Sequence, residues 1–149
     1  MAEALIVDTS VLVATLLEDE PEHDLAIRLM SHAAIGNVEL TAVAYAKVEV
    51  VSALVRAVRR SRVIEGQLRS PDRILAAFPV NWAPVEPILP RAMEMALKEG
   101  FSVYDALPVA QAEMVGLHLL TLDEPQRERA LLPVRVRSLS QVVTQLDSG

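Results

Sequence analysis

Four acidic residues stand out in this sequence because of the apolar residues around them. Asp8 and Asp123 each follow a short, mainly apolar run, and Glu49 and Asp105 have apolar neighbours on both sides. An ionised carboxylate is costly to bury unless it is paired or binds a cation. Carboxylate oxygens are ligands that Mg²⁺ prefers. If the fold brings these four acids together, they would form a site for a hard divalent cation.

Each acid, taken alone, also has a purely structural explanation. Glu49 could face solvent, because the residues three and four positions away form a small, semi-polar helix face. Asp105 could complete a capping box with Ser102, which lies three residues before it. Asp123 could cap the helix that we predict after it. The four acids together, at the ends of strands and on helices, favour a site.

The element that carries Asp8 is predicted from the segment 5–10. Residues 5–7 are apolar and end in Asp8-Thr9-Ser10, after which a second apolar pattern begins at 11–17. This pattern indicates a buried strand followed directly by a helix. Ligands of parallel α/β sheets bind at the carboxyl ends of the strands. We expect Ser10 to cap the helix while Asp8 faces the site, since both residue types are preferred helix caps.

Further strands and helices alternate along the rest of the chain. We predict strands at 38–41, 80–85, 117–121 and 134–136, and helices at 21–34, 42–60, 63–78, 91–99, 102–116, 124–131 and 138–146. The helix at 63–78 is expected to be interrupted near Ser70-Pro71. This alternation is typical of a parallel sheet covered by helices on both faces. No linker, repeat or low-complexity segment interrupts it, so we expect residues 1–149 to form a single α/β domain.

The composition limits the classes of protein that the chain can belong to. Of its 149 residues 52% are hydrophobic and none is cysteine, which excludes disulfides and cysteine-bound zinc and suits the reducing cytoplasm. We expect neither a signal peptide nor contact with a membrane, because every apolar run is too short. The net charge of −6 argues against a protein that coats nucleic acid, though not against an enzyme that cleaves it.

The order and spacing of the four acids resemble those of a PIN domain, specifically a VapC-type toxin ribonuclease. The matching segments are Ile6-Val7-Asp8-Thr9-Ser10-Val11-Leu12, Glu49 within 46–54, Tyr104-Asp105-Ala106 and Thr121-Leu122-Asp123. The resemblance extends from residue 5 to about residue 140. It implies an α/β/α sandwich around a central parallel sheet, with the four acids at the carboxyl edge of the strands.

The resemblance also implies an activity, a cofactor and partners. It implies an endoribonuclease that depends on Mg²⁺ or Mn²⁺, leaves a 5′-phosphate on its RNA product, forms a homodimer and is inhibited by a cognate antitoxin protein. Asp8 and Asp105 match the positions most often assigned to direct metal binding. Glu49 and Asp123 match the remaining acids, and Ser10 and Thr121 match hydroxyls that support them.

Basic residues and apolar helix surfaces are candidates for contacts with RNA or with a protein partner. Six arginines could bind RNA phosphates or an acidic antitoxin segment, although they could equally form an exposed helix face: Arg56, Arg59, Arg60, Arg62, Arg69 and Arg73. The apolar surface of the helices predicted at 21–34 and 42–78 is a candidate groove for a dimer partner or an antitoxin. No histidine has metal-ligand spacing, so we expect all three to be structural.

Other protein classes fit the acids less well. A receiver domain needs an acid pair beside the first strand and a lysine at a later strand end, whereas Asp8 is followed by Thr-Ser and Lys98 is not at a strand end. A phosphatase of the Asp-x-Asp type lacks its second acid for the same reason. A catalytically inactive PIN fold that acts as a binding module remains an alternative. Pro108 departs from the family pattern, and we expect it to kink the helix that carries Asp105 or to delay its start.

Overall fold

The computed structural model describes residues 2–123 and 136–149, and these contain one five-stranded parallel sheet. The strands are β1 (Glu3–Val7), β2 (Val38–Val43), β3 (Asn81–Ala83), β4 (His118–Leu120) and β5 (Val136–Arg137). Their order in the sheet is β3-β2-β1-β4-β5. The central strand β1 pairs in parallel with both β2 and β4. The predicted parallel α/β fold is confirmed.

Seven α-helices connect and cover the strands within the described ranges. They are α1 (Thr9–Leu16), α2 (His23–Ala34), α3 (Ala46–Arg59), α4 (Pro71–Ala76), α5 (Leu89–Glu99), α6 (Val103–Val115) and α7 (Leu139–Ser148). The helix predicted at 124–131, and the start of the strand predicted at 134–136, lie outside the described residues. No helix of the described ranges is long and apolar enough to cross a membrane.

Helices bury both faces of the sheet, and the alternation along β1 separates the two cores. Leu5 and Val7 pack into the core beneath α1, α2, α3 and α7. Ile6 points the other way, into the core formed with α5 and α6. A strand buried on both faces has apolar residues at every position, which explains the continuous apolar run of β1. The result is the expected α/β/α sandwich.

Two sequence predictions differ from the structure where strand and helix signals overlap. Residues 42 and 43 were assigned to a helix, but β2 continues through Val43 and α3 begins at Ala46. The helix predicted from residue 63 is wrong up to Ser70, where the structure has a loop and a 3₁₀ turn at Glu65–Gln67. The helix resumes with Pro71 at its first position, because proline disfavours helical backbone in the residue before it.

The strand order places a crevice at the carboxyl end of β1. The chain leaves β1 for β2 and β3 on one side and later returns to β4 on the other side of β1. Connections that leave in opposite directions open a crevice beyond the strand ends, where α/β proteins bind ligands. Asp8 lies at this point, and its backbone N–H donates to the carbonyl of Leu120 at 3.2 Å.

Candidate active site

Asp8 follows β1 directly and caps α1. Its Oδ1 accepts hydrogen bonds from the backbone N–H of Ser10 at 3.0 Å and from the Ser10 hydroxyl at 2.5 Å. The expectation that Ser10 caps the helix was therefore wrong, because α1 begins at Thr9 and Asp8 occupies the cap position. The cap and the candidate site share one carboxylate, so the cap preference of Asp8 does not compete with a role in the site.

Two hydroxyls connect Asp8 to the segment that follows β4. The Thr121 hydroxyl donates to Oδ2 of Asp8 and accepts from the backbone N–H of Asp123 at 3.1 Å. The Ser10 hydroxyl, which donates to Asp8, accepts from the backbone N–H of Leu122 at 2.8 Å. Both hydroxyls named from the sequence thus contact Asp8, and they join the ends of β1 and β4.

Asp8 is the one buried carboxylate among the described residues, with 6% of its surface exposed. Burial raises its pKa from 3.8 to about 6, because the charged form loses its hydration. The hydrogen bonds from Ser10 and Thr121 favour the charged form and limit this rise. The fold therefore holds a carboxylate in an environment that penalises its charge, which is frequent at functional sites.

Glu49 reaches the same region from the first turn of α3. Its Oε1 accepts a hydrogen bond of 2.8 Å from the hydroxyl of Thr9, the first residue of α1. Partial burial raises the pKa of Glu49, the Thr9 hydroxyl lowers it, and the nearby charge of Asp105 raises it further. The Asp105 carboxylate therefore lies close enough to Glu49 to disfavour the charged form of Glu49.

Asp105 is carried by the first turn of α6, and Ser102 fixes the start of that turn. The Ser102 hydroxyl accepts from the backbone N–H of Asp105 at 3.0 Å, as the capping alternative predicted. Pro108 lies inside α6 and is buried, and the helix continues through it from Val103 to Val115. The helix starts directly after Ser102, so Pro108 does not delay its start.

One cavity of about 530 Å³ brings three of the predicted acids together. Glu49, Asp105 and Asp123 line this cavity, which we call the acid cavity, together with Ser10 and Arg56. Asp8 does not line it but contacts Ser10, which does. The acids thus come from three different segments of the chain and meet near the carboxyl edge of the sheet, with Asp8 behind them.

The chemistry of the cavity fits a hard divalent cation, although the ligand shell is not preassembled. Within residues 2–123 and 136–149, no three carboxylate or imidazole groups are arranged closely enough to hold a metal ion as they stand. The candidate donors are all oxygens, and the negative charge of Asp105 disfavours the charged form of Glu49. A cation would relieve that repulsion, so the donor set suits Mg²⁺ or Mn²⁺ by ligand type.

Sequence reasoning did not single out several residues that the structure adds to the site. Thr9 supports Glu49, and the rings of Tyr45 and Tyr104 stack beside the acids with centroids 5.1 Å apart. Arg56 was one of six candidate arginines, and it is the one that lines the acid cavity. Its position seven residues after Glu49 corresponds to two helical turns, a signal that could have separated it from the other five.

Two of the histidines have structural partners, in line with the sequence. The Nδ1 atom of His23 lies 2.7 Å from the carbonyl of Ala14, and Nε2 of His32 lies 2.8 Å from a carboxylate oxygen of Asp147. These contacts hold α2 against α1 and α7. His118 begins β4.

A parallel three-layer sandwich with acids at the carboxyl edge of its sheet is the arrangement expected of a PIN domain. The PIN domain family model matches residues 5–131 of this chain. The chain therefore belongs to the PIN domain family.

Individual proteins resemble the chain to different degrees. A curated relative, Ribonuclease VapC3 from Pyrobaculum aerophilum, is 34% identical over 127 residues, which cover 84% of this chain and 93% of the relative. The solved structure of PAE2754 from the same organism has a TM-score of 0.69 and 24% identity and covers all of both chains.

Two other solved structures share the fold at lower sequence identity. Mycobacterium tuberculosis VapC20, described as a toxin that cleaves the sarcin–ricin loop, has a TM-score of 0.63 and 20% identity, covering 89% of this chain and 98% of its own. A toxin–antitoxin complex from Klebsiella pneumoniae has a TM-score of 0.53 and 16% identity, and the match covers 80% of this chain and 86% of that chain. At these identities the structures support the fold, and the curated relative is closer in sequence.

Proposed function

We propose that this chain is a metal-dependent endoribonuclease that hydrolyses RNA phosphodiester bonds, and that it is the toxin of a toxin–antitoxin pair acting in the cytoplasm. The observation that carries the proposal is the acid cavity. Glu49, Asp105 and Asp123 line it, and Asp8 lies behind Ser10, which also lines it. The 34% identity to a protein named Ribonuclease VapC3 supports the same activity.

Each acid has a distinct place in this proposal. Asp8, Glu49 and Asp105 would hold the divalent cation, and Asp123 would orient water or a second ion. When bound, the cation would supply a water of lowered pKa and neutralise charge on the phosphodiester. Ser10 and Thr121 keep the Asp8 carboxylate in place, because each hydroxyl donates to one of its two oxygens.

The groups around the acids prepare this chemistry. Thr9 fixes Glu49 at 2.8 Å, and Ser102 fixes the turn that carries Asp105. Arg56, whose guanidinium donates to the Ser52 hydroxyl at 3.0 Å, adds a positive charge to a cavity that is otherwise acidic. A guanidinium at that wall can contact a phosphate of the RNA strand and hold it against the acids.

RNA cleavage with and without metal tests the proposal. Purified protein is incubated with single-stranded RNA in Mg²⁺, in Mn²⁺ and in EDTA, and Asp8→Asn and Asp105→Asn are assayed beside the wild type. We expect cleavage that requires metal and is lost in both variants, with a 5′-phosphate on the product. Cleavage in EDTA, or variants as active as the wild type, would contradict the mechanism.

An inhibitory antitoxin is the protein partner that we propose. A second cavity of the described residues, a groove of about 680 Å³, lies between the ends of α1 and α3 and the segment that leads into α4. It combines apolar side chains such as Leu54 and Leu68 with the exposed arginines Arg69 and Arg73, and we call it the arginine groove. Its lining suits a peptide with apolar anchors and acidic residues.

A homodimer is the proposed assembly, and α5 offers a surface for it. Leu89, Met93 and Leu97 recur every four residues along α5 and are 41%, 61% and 76% exposed. Such a stripe is costly to leave in water. Light scattering on the wild type and on Met93→Asp tests this assembly. We expect a dimeric wild type and a monomeric variant, because the added carboxylate would be buried at the interface. A monomeric wild type would contradict the assembly.

The alternative, an inactive PIN fold that acts as a binding module, predicts a different result in the same assay. Such a protein would bind RNA or a partner protein without cleaving RNA under any metal condition. The four acids and the hydroxyls around Asp8 favour the enzyme, because a binding module gains nothing from a buried carboxylate whose pKa is raised to about 6.

A further inference from the structure

The two tyrosines of this chain lie together at the edge of the acid cavity. Tyr45 comes directly before α3, which carries Glu49, and Tyr104 comes directly before Asp105. Their ring centroids are 5.1 Å apart and their planes differ by 23°, so the rings are stacked. Both tyrosines line the acid cavity. The fold therefore brings two aromatic rings from distant segments to the same edge as the acids.

The two rings differ in exposure. Tyr45 is half-buried, and burial raises the pKa of its phenol, with further contributions from Tyr104 and Glu49. Tyr104 is 55% exposed although one of its faces is covered by Tyr45. The stack is thus anchored at Tyr45 and open toward solvent at Tyr104.

Stabilisation of the fold does not explain the position of Tyr104. Aromatic residues are rare in this chain, at 3%, and the two phenylalanines, Phe78 and Phe101, are buried in the cores. A tyrosine with more than half of its surface in water adds little hydrophobic stabilisation. Its exposed π-face is a surface on which a planar group can stack.

The groups around the tyrosines match an unpaired nucleotide. Single-stranded nucleic acid is bound by a basic contact to the backbone together with stacking of bases on aromatic rings. The acid cavity presents Arg56 and Tyr104 with Glu49 and Asp105 in the same lining. A phosphate held at the acids would therefore have a cation and an aromatic face nearby, whereas a base in a duplex is already stacked on its neighbours and could not use Tyr104.

We propose that Tyr104, supported from behind by Tyr45, is a stacking site for one unpaired nucleobase next to the RNA bond that is cleaved at the acid cavity. This inference rests on the proposed ribonuclease function and adds to it one specific contact: the stacking of an unpaired base on Tyr104, with little dependence on base identity. Tyr104 contacts the substrate, and Tyr45 is a positioning residue that holds the ring of Tyr104.

Fluorescence of a stacked base tests the proposal apart from cleavage. The probe is a single-stranded RNA oligonucleotide with one 2-aminopurine, titrated with the protein in Ca²⁺, with a gel to verify that the RNA stays intact. We expect quenching with the wild type and with Tyr104→Phe, and its loss with Tyr104→Leu, which keeps apolar volume without a π-face. Moving the 2-aminopurine along the RNA should locate one position of maximal quenching.

Affinity and kinetics give a second readout. We expect Tyr104→Ala to weaken RNA binding roughly tenfold, within the range of about 5- to 150-fold that loss of one base–aromatic stack produces. The cost should appear in KM with kcat little changed, and Tyr104→Phe should restore it. Ile35→Ala, which truncates a side chain that is 73% exposed just after α2, is the matched control and should bind RNA as the wild type does.

The outcomes separate this inference from the proposed function. A wild type that neither binds nor cleaves RNA would overturn the proposed function, and this inference with it. A wild type that cleaves RNA while Tyr104→Leu keeps the same affinity and quenching would overturn the stacking site alone. Loss of protein-partner binding with unchanged RNA binding in Tyr104→Leu would assign the ring to a protein interface instead.

Discussion

The candidate active site, formed by Asp8 and the acid cavity, and the arginine groove have opposite effects on the charged form of a carboxylate. In the arginine groove, Asp19 lies at the surface, and its hydrogen bonds to the guanidinium of Arg62 lower its pKa. In the site at the carboxyl edge of the sheet, burial raises the pKa of Asp8 to about 6. One environment stabilises the charge of a carboxylate, and the other penalises it.

This contrast distinguishes a surface for contacts from a site for chemistry. The arginine groove is the larger of the two, about 680 Å³ against about 530 Å³, and its Asp19 is paired with Arg62 at 2.8 Å. In the smaller cavity, the negative charge of Asp105 instead contributes to raising the pKa of Glu49. A site whose carboxylates are disfavoured in their charged form is the better candidate for metal-dependent catalysis, whatever its volume.

The largest effect should come from the same substitution made in each region. Glu49→Gln removes a carboxylate from the acid cavity, and Glu18→Gln removes an exposed one from the arginine groove. We expect Glu49→Gln to lower the rate of RNA cleavage more than about 100-fold, beyond what loss of an outer partner of a metal site costs. Glu18→Gln should cleave at the wild-type rate. Equal rates in the two variants would remove the distinction between the regions.

The pH dependence of stability should report the penalty at Asp8. Because the folded-state pKa of Asp8 is about 6 against an ordinary 3.8, the folded state binds its proton more tightly than the unfolded state. Its favourable contribution is complete below pH 3.8 and is lost as the pH rises through 6. In EDTA at pH 7, Asp8→Asn should therefore be more stable than the wild type by up to about 3 kcal/mol.

Chemical unfolding at several pH values measures this difference. The gap between Asp8→Asn and the wild type should be small near pH 4 and should grow until about pH 7, and saturating Mg²⁺ should reduce it. Curves that stay parallel from pH 4 to pH 7 would mean that the Asp8 carboxylate carries no penalty. Asp19→Asn should have no such gain at pH 7, because the pKa of Asp19 is lowered.

The hydroxyls that contact Asp8 should affect cleavage less than the acids do. Thr121→Val removes a donor to Oδ2 of Asp8 and should lower the cleavage rate about 10- to 100-fold, as loss of an outer partner of a metal site does. It should also raise the pKa of Asp8 further, because that hydrogen bond favours the charged form. Thr15→Val, whose hydroxyl contacts the carbonyl of Leu12 in α1, is the control and should cleave normally.

The arginine groove should respond to charge reversal with the opposite pattern. Arg69→Glu combined with Arg73→Glu should weaken inhibition by the antitoxin about tenfold or more, because like charges would then face an acidic segment. RNA cleavage without antitoxin should be unchanged. Arg59→Glu combined with Arg60→Glu, at the exposed end of α3, is the matched control. A loss of cleavage in the groove variant would assign these arginines to RNA.

The smallest effect should come from the helix cap beneath Asp105. Ser102 caps α6 and Ser138 caps α7 in the same way, with hydrogen bonds of 3.0 and 3.1 Å. Each serine-to-alanine change should lower the free energy of unfolding by about 1 kcal/mol. Cleavage should fall further in Ser102→Ala alone, because that cap fixes the turn of Asp105. The same loss of cleavage in both variants would mean that the Ser102 cap contributes only to general stability and not to the position of Asp105.

The sequence predicted most of the fold because its signals are local. An apolar run with β-branched residues identified β1, the apolar run at 117–121 identified β4, and the periodic pattern of α2 and α5 is continuous. Overlapping signals caused the errors: Ala42 and Val43 suit either a strand or a helix, and the segment 63–70 is apolar enough to mimic a helix until Pro71 ends the pattern. Tertiary packing decides such segments, and packing is not readable from one stretch of sequence.

The four acids and two hydroxyls of the candidate site were named from the sequence, whereas the tyrosines and Thr9 beside them were not. The order of Asp8, Glu49, Asp105 and Asp123 carried the resemblance to the PIN family, and the structure brings three of them to one cavity. The stacking of Tyr45 on Tyr104 depends on how α3 and α6 approach each other. No spacing along the chain encodes that approach, so this contact could be found in the structure alone.

Binding of Mn²⁺ tests the central claim most directly, because the acids are proposed to gather around a cation although their ligand shell is not preassembled. Electron paramagnetic resonance during a Mn²⁺ titration measures free ion without any RNA present. We predict saturable binding to the wild type and to Glu18→Gln, and its loss in Asp8→Asn and Asp105→Asn. Mn²⁺ binding that is equal in all four proteins, or absent from the wild type, would contradict the account.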